Sequence, residues 1–190
     1  SITKEAVEDY KRHKQDNEQN RTPIERFNGE CMENKEWRDL VCGDVVRMVR
    51  DAFFPCDLIM IGSSNEERTC YVETKNLDGE TNLKLKRSVD MGDGVKVISN
   101  AKLANLCRNS QRDDVMANAE DHLSGNLCTV ECEHPNNSLY TFSGNLELKP
   151  PFVSEKKKIA VTPTNVLLRG SQLRNTEYVY GIVIYTGHDS

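Results

Sequence analysis

Apolar residues along this chain fall in short alternating runs, broken by polar connections that carry Gly, Pro, Asn or Asp. Residues 24–27 and 31–35 flank Asn28-Gly29, a two-residue turn signal, and predict a hairpin. Residues 45–49 and 58–61 are β-branched runs on either side of a connection containing Pro55. Residues 70–76 and 81–85 bracket a second turn signal, Asp78-Gly79. Further strands are predicted at 127–133 and 139–142, joined by Pro135-Asn136-Asn137-Ser138, and then at 159–161, 166–168 and 178–185. Many short strands with turn signals between them predict a mainly β chain, a sandwich or a distorted jelly roll.

Two stretches depart from that rhythm. Over residues 2–20, Ile2, Ala6 and Tyr10 share one helical face with Val7 beside it, and everything after Tyr10 is polar. This predicts a helix anchored at its beginning and solvated afterwards. Over 91–126 the β pattern disappears. Val115, Met116, Ala119, His122 and Leu123 fall at i, i+1, i+4, i+7 and i+8, the spacing of an amphipathic helix, with a shorter one suggested by Leu103, Leu106 and Cys107. Residues 90–94 form a Gly/Asp linker into this insert, and His122, on its apolar side, reads as a packed histidine. At 190 residues the chain is one domain, 1–190, with a helix at 1–22 and a partly helical insert at 90–126.

Composition narrows the function classes. The net charge of −5 gives no broad electrostatic case for binding nucleic acid. The local basic groups Lys84-Leu85-Lys86-Arg87 and Lys156-Lys157-Lys158 read as solvated charged faces. No apolar run approaches the roughly 18–20 residues that a membrane span needs, and no signal-peptide pattern opens the chain. Seven cysteines, an odd number without a Cys-x-x-Cys pair, favour reduced thiols in a cytosolic setting. Cys128, Cys132 and His134 would share a strand face, but no fourth ligand stands at motif spacing, so zinc is not expected.

The candidate chemistry lies in Glu73-Thr74-Lys75-Asn76-Leu77-Asp78-Gly79-Glu80-Thr81-Asn82-Leu83-Lys84. A carboxylate, Glu80, follows a glycine in a polar turn between strands, and Gly79 lacks a side chain to keep its backbone away from an anionic centre. Asp78 and Thr81 are expected to hold the turn through local side-chain to backbone hydrogen bonds. Asn82 either does the same or is exposed. A calcium loop fails, since positions one and twelve would be Thr74 and Leu85 where carboxylates are needed. Taken alone, Asp78-Gly79 would be a hairpin turn.

The longer segment resembles the signature of the P-type ATPases, in the Asp-Gly-Glu-Thr form of the type IV phospholipid flippases. The likeness extends along the chain: Val45-Val46-Arg47, Pro55-Cys56-Asp57-Leu58, Cys70-Tyr71-Val72-Glu73-Thr74, Cys132-Glu133-His134-Pro135-Asn136, Leu139-Tyr140, Phe142 and Gly144. It continues through Asn165-Val166-Leu167-Leu168-Arg169-Gly170, Leu173-Arg174-Asn175-Thr176 and Tyr185-Thr186-Gly187-His188-Asp189. Cys56 stands where the family usually has alanine, and Lys75 where it has a small residue.

This resemblance implies the actuator domain, a β jelly roll on the cytosolic side of an integral membrane protein. Its two ends would lead to membrane helices. Glu80 would be the catalytic carboxylate that orients water for hydrolysis of an aspartyl phosphate carried by another domain, with Gly79 permitting close approach. Asp78, Thr81 and Asn82 would support the loop. The family's phosphorylated motif, Asp-Lys-Thr-Gly-Thr, is absent, as is a Gly-x-x-x-x-Gly-Lys nucleotide loop. The resemblance therefore implies no metal or cofactor in this domain, with ATP and Mg2+ used by the parent enzyme. Implied partners are the phosphorylation and nucleotide-binding domains of the same polypeptide, an accessory membrane subunit and a phospholipid substrate. The cations that would offset repulsion between Glu80 and a phosphoryl group are expected from the partner site. Two alternatives stay open: a P-type ATPase moving a cation, and a non-catalytic β-rich interaction module.

Overall fold

The computed structural model describes residues 2–28, 31–91, 128–136, 138–149 and 155–187. The helices expected around Leu103 and Val115, His122, and most of the insert expected at 90–126 lie outside the described residues. The described chain is mainly antiparallel β, as the alternating pattern predicts, with two α-helices.

It opens with α1 (Ile2–Asn20), whose described side chains are exposed, Val7 and Tyr10 among them. The helix ends in a turn in which the Arg21 and Thr22 N–H groups donate to the carbonyls of Glu18 and Gln19. β1 (Pro23–Phe27) and β2 (Met32–Glu36) then pair from Pro23↔Glu36 to Phe27↔Met32, close to the hairpin expected from Asn28-Gly29. After a short 3-10 turn at Trp37–Asp39 come β3 (Val45–Val49), β4 (Asp57–Ser63) and β5 (Thr69–Glu73). A single helical turn, α2 (Lys75–Asp78), separates β5 from β6 (Lys84–Arg87). The remaining strands are β7 (Cys128–Cys132), β8 (Gly144–Leu148), β9 (Lys157–Val161), β10 (Val166–Leu167), β11 (Gln172–Arg174) and β12 (Tyr178–Tyr185).

Six strands make a central sheet in the order β10-β4-β12-β3-β1-β2. Two three-stranded sheets accompany it, β11-β5-β6 and β7-β8-β9. The alternation along β4 shows how they stack. Leu58 and Met60 join one buried cluster with Cys70, Val72 and Leu173 of the β11-β5-β6 sheet. Ile59 and Ile61 join the other with Leu146, Leu148 and Val161 of the β7-β8-β9 sheet. β12 divides in the same way, with Val179 and Val183 on the first side and Tyr180, Ile182 and Ile184 on the second. Burial on both faces is why these two strands read as near-continuous apolar runs instead of alternating ones. Gly181 of β12 lies close against β4, since a Cβ there would be 2.9 Å from the Leu58 Cβ.

The expected strands at 139–142 and 74–76 are corrected, and two strands, β8 and β11, were not expected. Residues 139–142 are not a strand; β7 pairs instead with β8, from Cys128↔Leu148 to Cys132↔Gly144. Local side chains compete for that backbone: the Ser138 N–H donates to Asn136 Oδ1, the Thr141 N–H to Ser138 Oγ and the Ser143 N–H to Glu133 Oε1. Residues 74–76 do not continue β5, because the N–H groups of Leu77 and Asp78 both turn back to the Thr74 carbonyl at 2.8 and 3.1 Å. β11 was not anticipated; it is three residues long and pairs with β5 from Gln172↔Glu73 to Arg174↔Tyr71.

Candidate functional site

The loop from Thr74 to Lys84 joins two strands that pair as far as Val72↔Lys84. Its first half is rigid for local reasons. α2 is closed by Gly79, whose N–H donates to the Lys75 carbonyl and whose φ of 76° is left-handed, a conformation glycine adopts without strain. The chain then emerges facing outward, and a Cβ placed on Gly79 would meet nothing within 4 Å. Glycine is needed here for its backbone conformation, not for lack of space inside the domain.

Asp78 organises the base of the loop. Its carboxylate accepts from Thr74 Oγ1 at 2.9 Å, from the Glu80 N–H at 3.0 Å and from the Tyr140 hydroxyl at 3.1 Å, and it is paired with the Lys84 ammonium. The side chain is only 8% exposed. The Lys84 ammonium, helped by the Glu80 N–H and the Thr74 and Tyr140 hydroxyls, holds the Asp78 carboxyl well below the usual carboxylate range, against the opposing effect of burial. In turn Asp78 raises the pKa of Lys84 and of the Tyr140 hydroxyl.

Glu80 follows at the tip, with its side chain 56% exposed and Oε2 3.1 Å from Lys84 Nζ. Thr81 and Asn82 are exposed and have no hydrogen-bond partner among the described residues. Of the two side chains expected to hold the turn, Asp78 makes the backbone bond and Thr81 makes none. Lys75, unusual by the family resemblance, is exposed on α2.

Two site residues were missed in the sequence. Lys84 was read as part of a solvated basic face, yet it bridges Asp78 and Glu80 while its Nζ lies 4.9 Å from the centre of the Tyr140 ring. The i, i+4 spacing of Glu80 and Lys84 was the available signal. Tyr140, 62 residues from Asp78, left no local one. The same geometry places one ammonium, that of Lys84, beside Glu80 within this chain.

The loop borders a cavity of about 190 Å3, lined by Val72, Leu77, Leu85, Leu139 and Leu168 together with polar groups that include Asp78 and Lys84. Lys86 lines it, donating to the Pro163 carbonyl at 2.8 Å, and burial lowers the pKa of its ammonium. Among the described residues no group of three His, Cys, Asp or Glu side chains is placed to hold a metal ion, and no helix is long and apolar enough to cross a membrane. Among the described residues, Cys31, Cys42, Cys56, Cys70 and Cys132 carry free thiols. Burial pushes the Cys56 and Cys70 thiols up to about 12.

No protein-family model matches the chain. Individual proteins do, along its whole length. A phospholipid-transporting ATPase of Schizosaccharomyces pombe is 42% identical over 98% of this chain, which corresponds to 13% of that protein. Probable phospholipid-transporting ATPase 11 of Arabidopsis thaliana is 42% identical over 100% of the chain and 14% of its own length. Phospholipid-transporting ATPase 6 of the same plant is 42% identical over 100% of the chain and 13% of its own length. The chain thus spans about 13–14% of the length of these relatives. Over its whole length the chain matches a segment of the type IV, phospholipid-transporting P-type ATPases.

Proposed function

We propose that this chain is the cytosolic actuator domain of a phospholipid-translocating P-type ATPase, and that Glu80 drives hydrolysis of an aspartyl phosphate on another domain of the same polypeptide. The observation that carries the reading is a fixed base bearing an exposed tip: the Asp78 side chain is little exposed and bonded on several sides, while Glu80, two residues on, is exposed beyond a left-handed glycine and paired with Lys84. A carboxylate so placed can leave its own domain's surface without disturbing the fold beneath it.

The chemistry asked of it is modest. Water attacks the phosphorus in line, the bond from phosphorus to the aspartyl oxygen breaks, and inorganic phosphate and a free aspartate result. Glu80 orients that water and accepts its proton, for which its carboxylate must come within about 2.6–3.2 Å of the water oxygen. The outward face of Gly79 lets the loop backbone approach the phosphoryl group without a side chain between them. By this reading ATP and Mg2+ are bound by the phosphorylation and nucleotide-binding domains. The domain moves as a body to meet them, and its two ends transmit that motion to membrane helices. Phospholipid is the transported substrate, and an accessory membrane subunit joins the parent protein. Support for the substrate class comes from the 42% identity to phospholipid-transporting ATPases.

In the full-length enzyme, Glu80→Gln should still take phosphate from ATP and then accumulate the phospho-enzyme, with steady-state ATP hydrolysis lost. Retained turnover in that variant would remove Glu80 from the mechanism and favour a binding role for the exposed loop.

A further inference from the structure

We infer that Lys84 is a positioning residue for the Glu80 carboxylate, and that Asp78 and Tyr140 seat it for that task. The inference rests on the role proposed for Glu80 and adds what holds that acid in place.

Lys84 opens β6, so its backbone is fixed by pairing with β5 at Val72. Its side chain, 25% exposed, is held at two points: the ammonium is paired with Asp78, and it lies over the Tyr140 ring at 4.9 Å. Tyr140 is oriented by its own hydroxyl, which donates to the same Asp78 carboxylate. An ammonium fixed on one side then reaches Glu80 Oε2 at 3.1 Å on the other. The cluster therefore contains two carboxylates and one ammonium within a single turn. Without the ammonium, Asp78 and Glu80 would repel each other, and Glu80 would also meet an incoming phosphoryl group with no cation beside it.

The two halves of the bridge differ in strength by design of their surroundings. The bond to Asp78 is sheltered and supported by three further donors to that carboxylate. The bond to Glu80 lies at an exposed side chain, where ion pairs are weak and easily exchanged. Glu80 can turn from Lys84 to water while the cation stays where it was. Lys84 thus limits the directions an otherwise free side chain samples and keeps local charge near balance as the loop engages.

Phospho-enzyme decay in the full-length protein tests this, measured after a chase with unlabelled ATP. Lys84→Met should slow decay by roughly ten- to a hundredfold, the cost of losing alignment at a reacting group, while phosphorylation from ATP proceeds normally. Lys84→Arg, which keeps the charge, should recover most of the rate; Tyr140→Phe should show a smaller slowing. In a Glu80→Gln background, Lys84→Met should add nothing, because Lys84 acts only through Glu80. Should Lys84→Met fail to accumulate, Lys84→Gln compared with Lys84→Arg carries the same test, and equal rates would overturn the inference. Normal decay in Lys84→Met, or an equal further slowing on top of Glu80→Gln, would overturn it too. If Glu80→Gln traps the phospho-enzyme while Lys84→Met decays normally, only the role of Lys84 falls; if Glu80→Gln itself decays normally, both fall.

Discussion

Asp78 and Gly79 are neighbours with opposite demands, and each can be tested separately. Gly79 has a φ of 76° and open space where a Cβ would go. Gly79→Ala should therefore lose stability through backbone strain alone, about 1 kcal/mol, measured by chemical unfolding of the domain. A loss several times larger would mean that the glycine face is packed. Asp78 is a matter of charge. Its carboxyl is held well below the usual range, chiefly by Lys84. A carboxyl depressed on folding contributes stability that is full above its unfolded value of about 3.9 and is lost as pH falls through the lower folded value. The native domain should thus be more stable than Asp78→Asn at pH 7, and the difference should shrink as pH drops below about 4. A difference constant from pH 7 to pH 2 would contradict the ionic role. Asp78 also shows why residue type alone could place a turn but not its strength. The short polar side chain predicts a local backbone bond, which Glu80 N–H supplies, whereas the Tyr140 contact comes from a loop 62 residues away.

Strands with β-branched or apolar runs were legible because burial is written into them directly. β3 and β12 occupy the residues their pattern marks, 45–49 and 178–185. β8 and β11 were not, for different reasons. β8 begins with Gly144 and offers only Leu146 and Leu148 as buried apolar positions. β11 is three residues long, with Leu173 alone fully buried, and depends on its partner β5 for identity. The segment 139–142 misled because Leu139, Tyr140 and Phe142 resemble a strand, while the hydroxyl and amide side chains around them satisfy the backbone locally. At this scale Gly181 offers the sharpest test. It belongs to β12 and faces Leu58 of β4 so closely that an added methyl has no room. Gly181→Ala should destabilise the domain by about 1–3 kcal/mol, seen as a lower midpoint of thermal unfolding. An unchanged midpoint would show that β4 and β12 are not packed as described.

The described residues form a central sheet covered on both faces, with the candidate loop between β5 and β6. β4 and β12 carry core on both faces, and the sheet containing β5 and β6 packs on one of them. The loop between β5 and β6 is closely bonded at Asp78 and exposed two residues later at Glu80. Such a division is compatible with the role proposed for Glu80. The family match and the β fold were readable in advance, because the resemblance rests on contiguous motifs and the strands on apolar runs. What remained hidden was the cation beside Glu80, since a lysine at a strand's edge looks solvated until Tyr140 and Asp78 are seen around it. The most direct measurement is the rate at which phospho-enzyme disappears in the full-length enzyme once phosphorylation is stopped, compared between the native protein and Glu80→Gln. Loss of general-base assistance predicts decay slower by about 10²–10⁴-fold, or roughly 3–5 kcal/mol of barrier. Decay at the native rate would contradict the central claim that Glu80 serves the hydrolysis of a phosphorylated neighbour.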